Sequence, residues 1–190
     1  MKKLLNLFLV LCLGVEVSVG VINAAQAATT DFFQITVTVG YISISLLDRD
    51  SANYTTWAIG SLSASSVATM TANSGSGLTE KGILVSNESN VSIDLGSYAT
   101  NSLGWALVSG TPGANEYRLK ADGFAGWQSA TYPNMASATT ITATSSPGTE
   151  YDTGVSANTP SYHYYQFAAP SSVSTGGSNT ITVTVEATGS

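Results

Sequence analysis

Residues 33–46 read FQITVTVGYISISL, and the phase of that stretch decides the fold class. Up to Val39 the apolar residues Phe33, Ile35, Val37 and Val39 alternate with Gln34, Thr36 and Thr38. Alternation of period two is the signature of a strand with one buried face. After Gly40 the phase flips, and Ile42, Ile44 and Leu46 become the apolar set. A bulge at Gly40–Tyr41 accounts for the flip, since one extra residue turns every following side chain to the other face. One long strand, bent at the glycine, would then serve two sheets.

The rest of the chain reads the same way. Segments rich in Val, Ile, Thr, Tyr and Phe predict strands at 54–59, 67–71, 82–86, 91–98, 105–108, 116–121, 139–144, 162–168 and 180–187. Turn signals separate them, among them Asn73-Ser74-Gly75, Thr111-Pro112-Gly113 and Ser146-Pro147-Gly148. Helical periodicity is almost absent beyond residue 27. The expected fold is all-β, an antiparallel two-sheet β-sandwich of jelly-roll or immunoglobulin-like type.

The chain start carries a location signal. Lys2 and Lys3 precede an apolar run from Leu4 to Val15, and small residues follow, ending Ala25-Gln26-Ala27. That pattern predicts a secretory signal peptide over 1–27 and a single β domain over 28–190, secreted to the extracellular space or cell surface. A lipoprotein reading fails because Leu11, not a small residue, precedes Cys12. A type IV pilin reading fails because Glu16 lies only two residues after Gly14. No later stretch approaches membrane-spanning length, so no membrane span is expected in the mature chain.

Cys12 is the only cysteine and leaves with the signal, so burial and backbone pairing must hold the domain without disulfides. Cleavage also removes Lys2, Lys3 and Glu16 from totals of six bases and twelve acids, leaving four against eleven and a formal net charge of −7. Such a surface repels phosphate, and no nucleic-acid partner is expected.

Catalytic groupings are thin. His163 is the only histidine, and no Gly-x-Ser-x-Gly elbow accompanies it. It reads as an ordinary strand position, and the chain as a non-enzyme without cofactors. One histidine and no mature cysteine make a zinc site poorly supported. Asp48, Asp50 and Asn53, and separately Glu150 with Asp152, offer calcium-type oxygens, but turn capping is the favoured reading of both groups. Paired glycosidase carboxylates meet only in space and stay open, although few charges remain for a cleft.

Aromatic residues make the case for binding. Trp57, Trp105, Trp127, Tyr132, Tyr151, Tyr162, Tyr164 and Tyr165 could form a flat platform for sugars. The plainer reading puts Trp57 and Trp105 in the core and the tyrosines along sheet edges, with Trp127 in a loop. Asn53, Asn87 and Asn90 each open an Asn-x-Ser/Thr sequon, a triplet that chance supplies freely in so Ser- and Thr-rich a chain.

The pentapeptide ITVTV recurs at Ile181 to Val185. Its flanks differ from those of the first copy, so duplication is not indicated. What the copies share is a β-branched face near a chain end, where pairing with another molecule is easy. The order of a signal, a long first strand, a hairpin over Val85–Ile93 and a closing Thr-Val strand resembles secreted jelly-roll fibre subunits of the TasA, camelysin and archaeal bundling-pilin kind. The metalloprotease motif attributed to some camelysin-like proteins is absent. The resemblance implies that an N-terminal strand of one subunit completes the sheet of the next. Phe33, Ile35, Val37 and Val39 would then be the donor, and Ile181, Val183 and Val185 the acceptor edge, of a homopolymer forming a filament, pilus or surface layer. Three alternatives stay open: a monomer that pairs both strands internally, a cell-envelope module that binds polysaccharide, and a small secreted hydrolase that would depend on His163.

Overall fold

The structure, a computed structural model, describes residues 40–71, 82–102, 104–128, 133–174 and 179–190, all within the compact unit Val39–Ser190. Ten strands follow in order: β1 (Ile44–Leu47), β2 (Val67–Thr69), β3 (Ile83–Asn87), β4 (Ile93–Ala99), β5 (Ala106–Leu107), β6 (Glu116–Phe124), β7 (Thr139–Ile141), β8 (Thr149–Val155), β9 (Pro160–Ala168) and β10 (Val183–Gly189). The described residues contain no helix, and hence none long and apolar enough to cross a membrane. The all-β expectation holds.

Seven strands form one sheet, ordered β1-β3-β9-β6-β5, with β2 on β9 and β7 on β6; the other three form a sheet ordered β10-β4-β8. Nearly all pairs are antiparallel. The exception is the two-residue pairing of β5 with β6, which is parallel.

Alternation explains which face each strand buries. In β3 and β4 every second residue is buried, giving Ile83, Val85 and Asn87 on one strand and Ile93, Leu95, Ser97 and Ala99 on the other. Tyr117, Leu119 and Ala121 of β6 and His163, Tyr165 and Phe167 of β9 continue the inner face of the larger sheet. The apolar members of both inner faces form one core cluster, and each large side chain fully buried there contributes about 1.5–3 kcal/mol. Phe167 ties the upper part together, stacking on Tyr117 with centroids 5.8 Å apart and on Trp105 at 6.3 Å.

Four expectations need correction. The stretch Val85–Ile93 is not a hairpin, because β3 and β4 belong to different sheets. Alternation is the same on either side of this turn, and the buried Asn87 makes it a crossing. Its Nδ2 donates to the carbonyls of Val155 and Ser156 at 3.0 and 2.9 Å and lies 3.2 Å from that of Val91, and its Oδ1 accepts from Ser89 N–H at 2.9 Å. Second, residues 54–59 form no strand. Tyr54, Trp57 and Ile59 use their alternation to pack on the core, and the backbone joins a ladder only through Asn53 opposite Leu47 and Tyr54 N–H to the Leu46 carbonyl.

Third, β8 occupies a stretch, after the turn at Ser146–Gly148 and around Glu150 and Asp152, where no strand was expected. Fourth, the described strand after Gly40 starts only at Ile44, and Ile42 remains 47% exposed. Here side chains of the 87–92 turn take the place of a partner strand. Asn90 Oδ1 accepts from Tyr41 N–H at 2.9 Å and Ser89 Oγ from Ser43 N–H at 2.8 Å.

Candidate functional site

The largest concentration of buried polar chemistry lies where β8 and β4 face β9. Two bulges interrupt the β4–β8 register, between Ile93 and Leu95 and between Leu95 and Gly96. Bulges re-aim side chains, and here consecutive residues Tyr151 and Asp152 both reach the imidazole of His163. His163 is fully buried. Its Nε2 lies 3.1 Å from Asp152 Oδ2, and its Nδ1 lies 2.6 Å from Tyr151 Oη.

The chain of contacts continues in both directions. Tyr151 Oη is 3.2 Å from Tyr165 Oη, which is 2.7 Å from Ser97 Oγ, and Ser161 Oγ donates to Asp152 Oδ2 at 2.5 Å. A carboxylate only accepts, so Nε2 carries the proton and Nδ1 accepts from Tyr151. Every donor then points one way: Ser97 to Tyr165, Tyr165 to Tyr151, Tyr151 to His163, His163 to Asp152. Gly123 stands opposite His163 on β6, and a Cβ there would lie 2.3 Å from Asp152 Oδ2. Only a residue without a side chain leaves room for the carboxylate.

Burial sets the electrostatics. It pushes the imidazole of His163 below its ordinary value, against the opposing pull of the Asp152 and Asp122 carboxylates. For Asp152, burial raises the value, but hydrogen bonds from His163 and Ser161 and the proximity of the imidazole outweigh it, and the net shift is downward. Burial lifts Tyr151 and Tyr165 above the usual phenol range, so both stay protonated donors. Asp122, on the outer face, is raised by desolvation and then by Asp152. Chemically, both imidazole nitrogens are occupied, by a carboxylate and by a phenol. Ser161 bonds the carboxylate and not the imidazole, and the hydroxyl that reaches the imidazole is the buried phenol of Tyr151.

The second candidate is the edge of the smaller sheet. β10 pairs with β4 in the register Val183–Ala99 through Gly189–Ile93, and no other described strand pairs with it. Thr100 N–H bonds the Thr182 carbonyl, and Ser190 N–H the Ser92 carbonyl. In an antiparallel pair bonding alternates, so even-numbered residues of this segment address β4. The odd-numbered Ile181, Val183, Val185 and Ala187 therefore turn their N–H and C=O to the other side while packing their side chains on the core. The named acceptor residues are thus the ones whose backbone groups face away from β4, on the side where no described strand pairs, although β10 begins at Val183, after Ile181. Phe33, Ile35, Val37 and Val39 lie outside the described residues. The described chain enters at the Gly189 end of this edge: a Cβ on Gly189 would lie 3.7 Å from Ile42 Cδ1.

The remaining candidates scatter. Asp48 caps its own turn, with Oδ1 accepting from Asp50 N–H and Ala52 N–H at 2.9 Å each, and Asp152 belongs to the polar chain. No group of three or more metal-ligating side chains occurs among the described residues. Trp57 and Trp105 pack on the core, whereas Tyr164 and Tyr165 are buried in β9 and do not line an edge. Trp127 is half-buried, 4.8 Å edge-on from Tyr162, with the Arg49 guanidinium 5.5 Å over its ring. Tyr132 lies outside the described residues. Of the sequon asparagines, Asn53 and Asn90 are exposed and Asn87 is buried.

Tyr54 Oη is buried without a hydrogen-bond partner among the described residues. Desolvation, helped by Tyr165, accordingly drives its phenol far above the usual range. Replacing Tyr54 by Phe removes an unpaired polar atom and is expected to raise unfolding stability by about 1 kcal/mol in urea titrations. A loss of similar size would show that the hydroxyl has a partner.

Reading the sequence named His163, Tyr151, Tyr165 and Asp152 separately and did not join them. Tyr151 and Asp152 sit on a strand whose bulges erase period two, and Gly123 carries no signal apart from its lack of a side chain. No family model matches this chain, and neither a curated protein nor a solved structure matches it.

Proposed function

We propose that this chain is a non-enzymatic extracellular structural subunit that polymerises through its sheet edge, on a jelly-roll-type two-sheet fold. The observation that supports it most is the phase of β10. Ile181, Val183 and Val185 direct unpaired-side backbone groups outward while lining the core edge with apolar side chains, the arrangement that strand addition needs. The donor in this reading is Phe33–Val39 of a neighbouring copy, whose four alternating apolar residues suit the same core edge. A head-to-tail contact of this kind does not close on itself, so it propagates into a filament. The signal-like residues 1–27 and the acidic, cysteine-free remainder agree with an exported subunit.

The test is negative-stain electron microscopy of Ala28–Ser190 beside a chain starting at Gly40 and a Val185→Pro protein. Proline at 185 removes an outward N–H and spares the bonds to β4. Filaments from the first protein alone are expected. Well-folded, dispersed monomers from the first would overturn self-assembly and bring forward polysaccharide binding, with Trp127→Ala as the next variant. Filaments from the proline variant would move the joint away from β10.

A further inference from the structure

We infer that the hydrogen-bonded chain Ser97–Tyr165–Tyr151–His163–Asp152 is a proton-operated latch between the two sheets, closed while the imidazole is neutral and opened when it takes up a proton. The inference concerns the fold of each subunit and stands apart from the assembly reading.

The latch spans the seam evenly. Ser97, Tyr151 and Asp152 belong to the β10-β4-β8 sheet, while Tyr165, His163 and Ser161 belong to β9 at the centre of the larger sheet. In the neutral state Tyr165 and Tyr151 each accept one bond and donate the next, Ser97 donates the first, and the run ends on a carboxylate. Protonation at Nδ1 turns that nitrogen from acceptor into donor. The proton on Tyr151 Oη then points at a second proton across an oxygen–nitrogen contact of 2.6 Å and must turn to Tyr165. Tyr165 must in turn direct its own proton to Ser97, and the proton on Ser97 Oγ loses its acceptor inside a fully buried position. One proton therefore reverses the whole run and leaves its last donor unpaired, at a cost that falls on the seam.

The groups around the imidazole decide when this happens. β8 contributes Asp152 and Tyr151, β9 contributes Tyr165, and β6 contributes the Asp122 carboxylate from its outer face. β3 brings Ile83 and Val85, which do not titrate, and β6 places Gly123 directly opposite. The two carboxylates pull a proton in and burial keeps it out; burial is the larger influence on His163. With its folded value below the ordinary 6.5, the unfolded chain binds the proton first. Stability is therefore full above about pH 6.5 and is lost as pH falls from there toward the folded value.

His163 is the only histidine, so its ring signals are unambiguous. We would follow the wild-type protein by nitrogen-proton NMR of the imidazole, near-ultraviolet circular dichroism of the tyrosines and urea unfolding from pH 7.5 to 5, beside His163→Gln. Expected are an Nε2–H tautomer at pH 7.5 and a folding equilibrium constant that falls by up to about tenfold per pH unit below pH 6.5. The tyrosine signal should change together with the imidazole titration, and the Gln variant should show no such slope. Equal slopes in both proteins would overturn the latch, as would an imidazole titrating near 6.5 in folded protein with an unchanged tyrosine signal. Should the Gln variant fail to fold, the wild-type NMR and dichroism decide the question.

Discussion

Gly123→Ala is expected to remove about 2–4 kcal/mol of stability, a large share of what a domain of this size has. The added methyl would lie 2.3 Å from Asp152 Oδ2, 2.4 Å from Cγ and 2.8 Å from Cβ, so the whole carboxylate must leave its place. Asp152 cannot move and still accept from both His163 and Ser161. A displaced Asp152 strands a fully buried Nε2–H, and the cost of an unpaired buried donor adds to that of the overpacked site. Gly126→Ala is the control, because no described residue lies within 4 Å of its Cβ position, and it should change stability by less than about 0.5 kcal/mol. Urea unfolding at pH 7.5 measures both. Equal, small effects would mean that Asp152 has room to spare and that the polar seam is loosely held.

Asn87→Asp is expected to do more damage, about 4 kcal/mol or greater. The amide nitrogen that now faces the Val91, Val155 and Ser156 carbonyls would become a carboxylate oxygen aimed at three other acceptors. Asn87→Ala should fall between, at about 2–3 kcal/mol, because it leaves those carbonyls and Ser89 N–H unpaired without adding a charge. The damage would also reach β1: Ser89 Oγ and Glu88 N–H hold Ser43 at the entry of that strand. Thermal unfolding of the three proteins gives the order directly, and a stable Asp variant would show that the turn reorganises around the charge.

The legible part of this fold is the part with unbroken alternation. β3, β4, β6, β9 and β10 each contain a run of period two, and the predicted segments overlap all of them. Alternation reports a buried face and nothing about the neighbour. Hence residues 54–59 looked like a strand when only their side chains are used, and Val85–Ile93 looked like a hairpin when the turn joins two sheets. β8 was hidden for the converse reason, since its two bulges bring Tyr151 and Asp152 to the same imidazole and leave no pattern to see. His163 could be noticed because it is unique. That it would be buried, neutral and paired with an acid eleven residues earlier follows only from the register of β9 against its neighbours.

The position of β9 has a consequence in time. It is ninth of the ten described strands in chain order, yet it pairs with β2, β3 and β6 and fills the middle of the larger sheet. Thr69 meets Gln166, and Ile83 meets His163, across separations of 97 and 80 residues. Until residues 160–168 have been made, β1 with β3 is a two-strand fragment, and β6 has only the short strands β5 and β7 beside it, too little to stand alone in water. Contacts this distant in sequence close slowly, because loop entropy must be overcome before any of them stabilises the chain. A nascent chain of this topology thus cannot close its larger sheet before residues 160–168 are available.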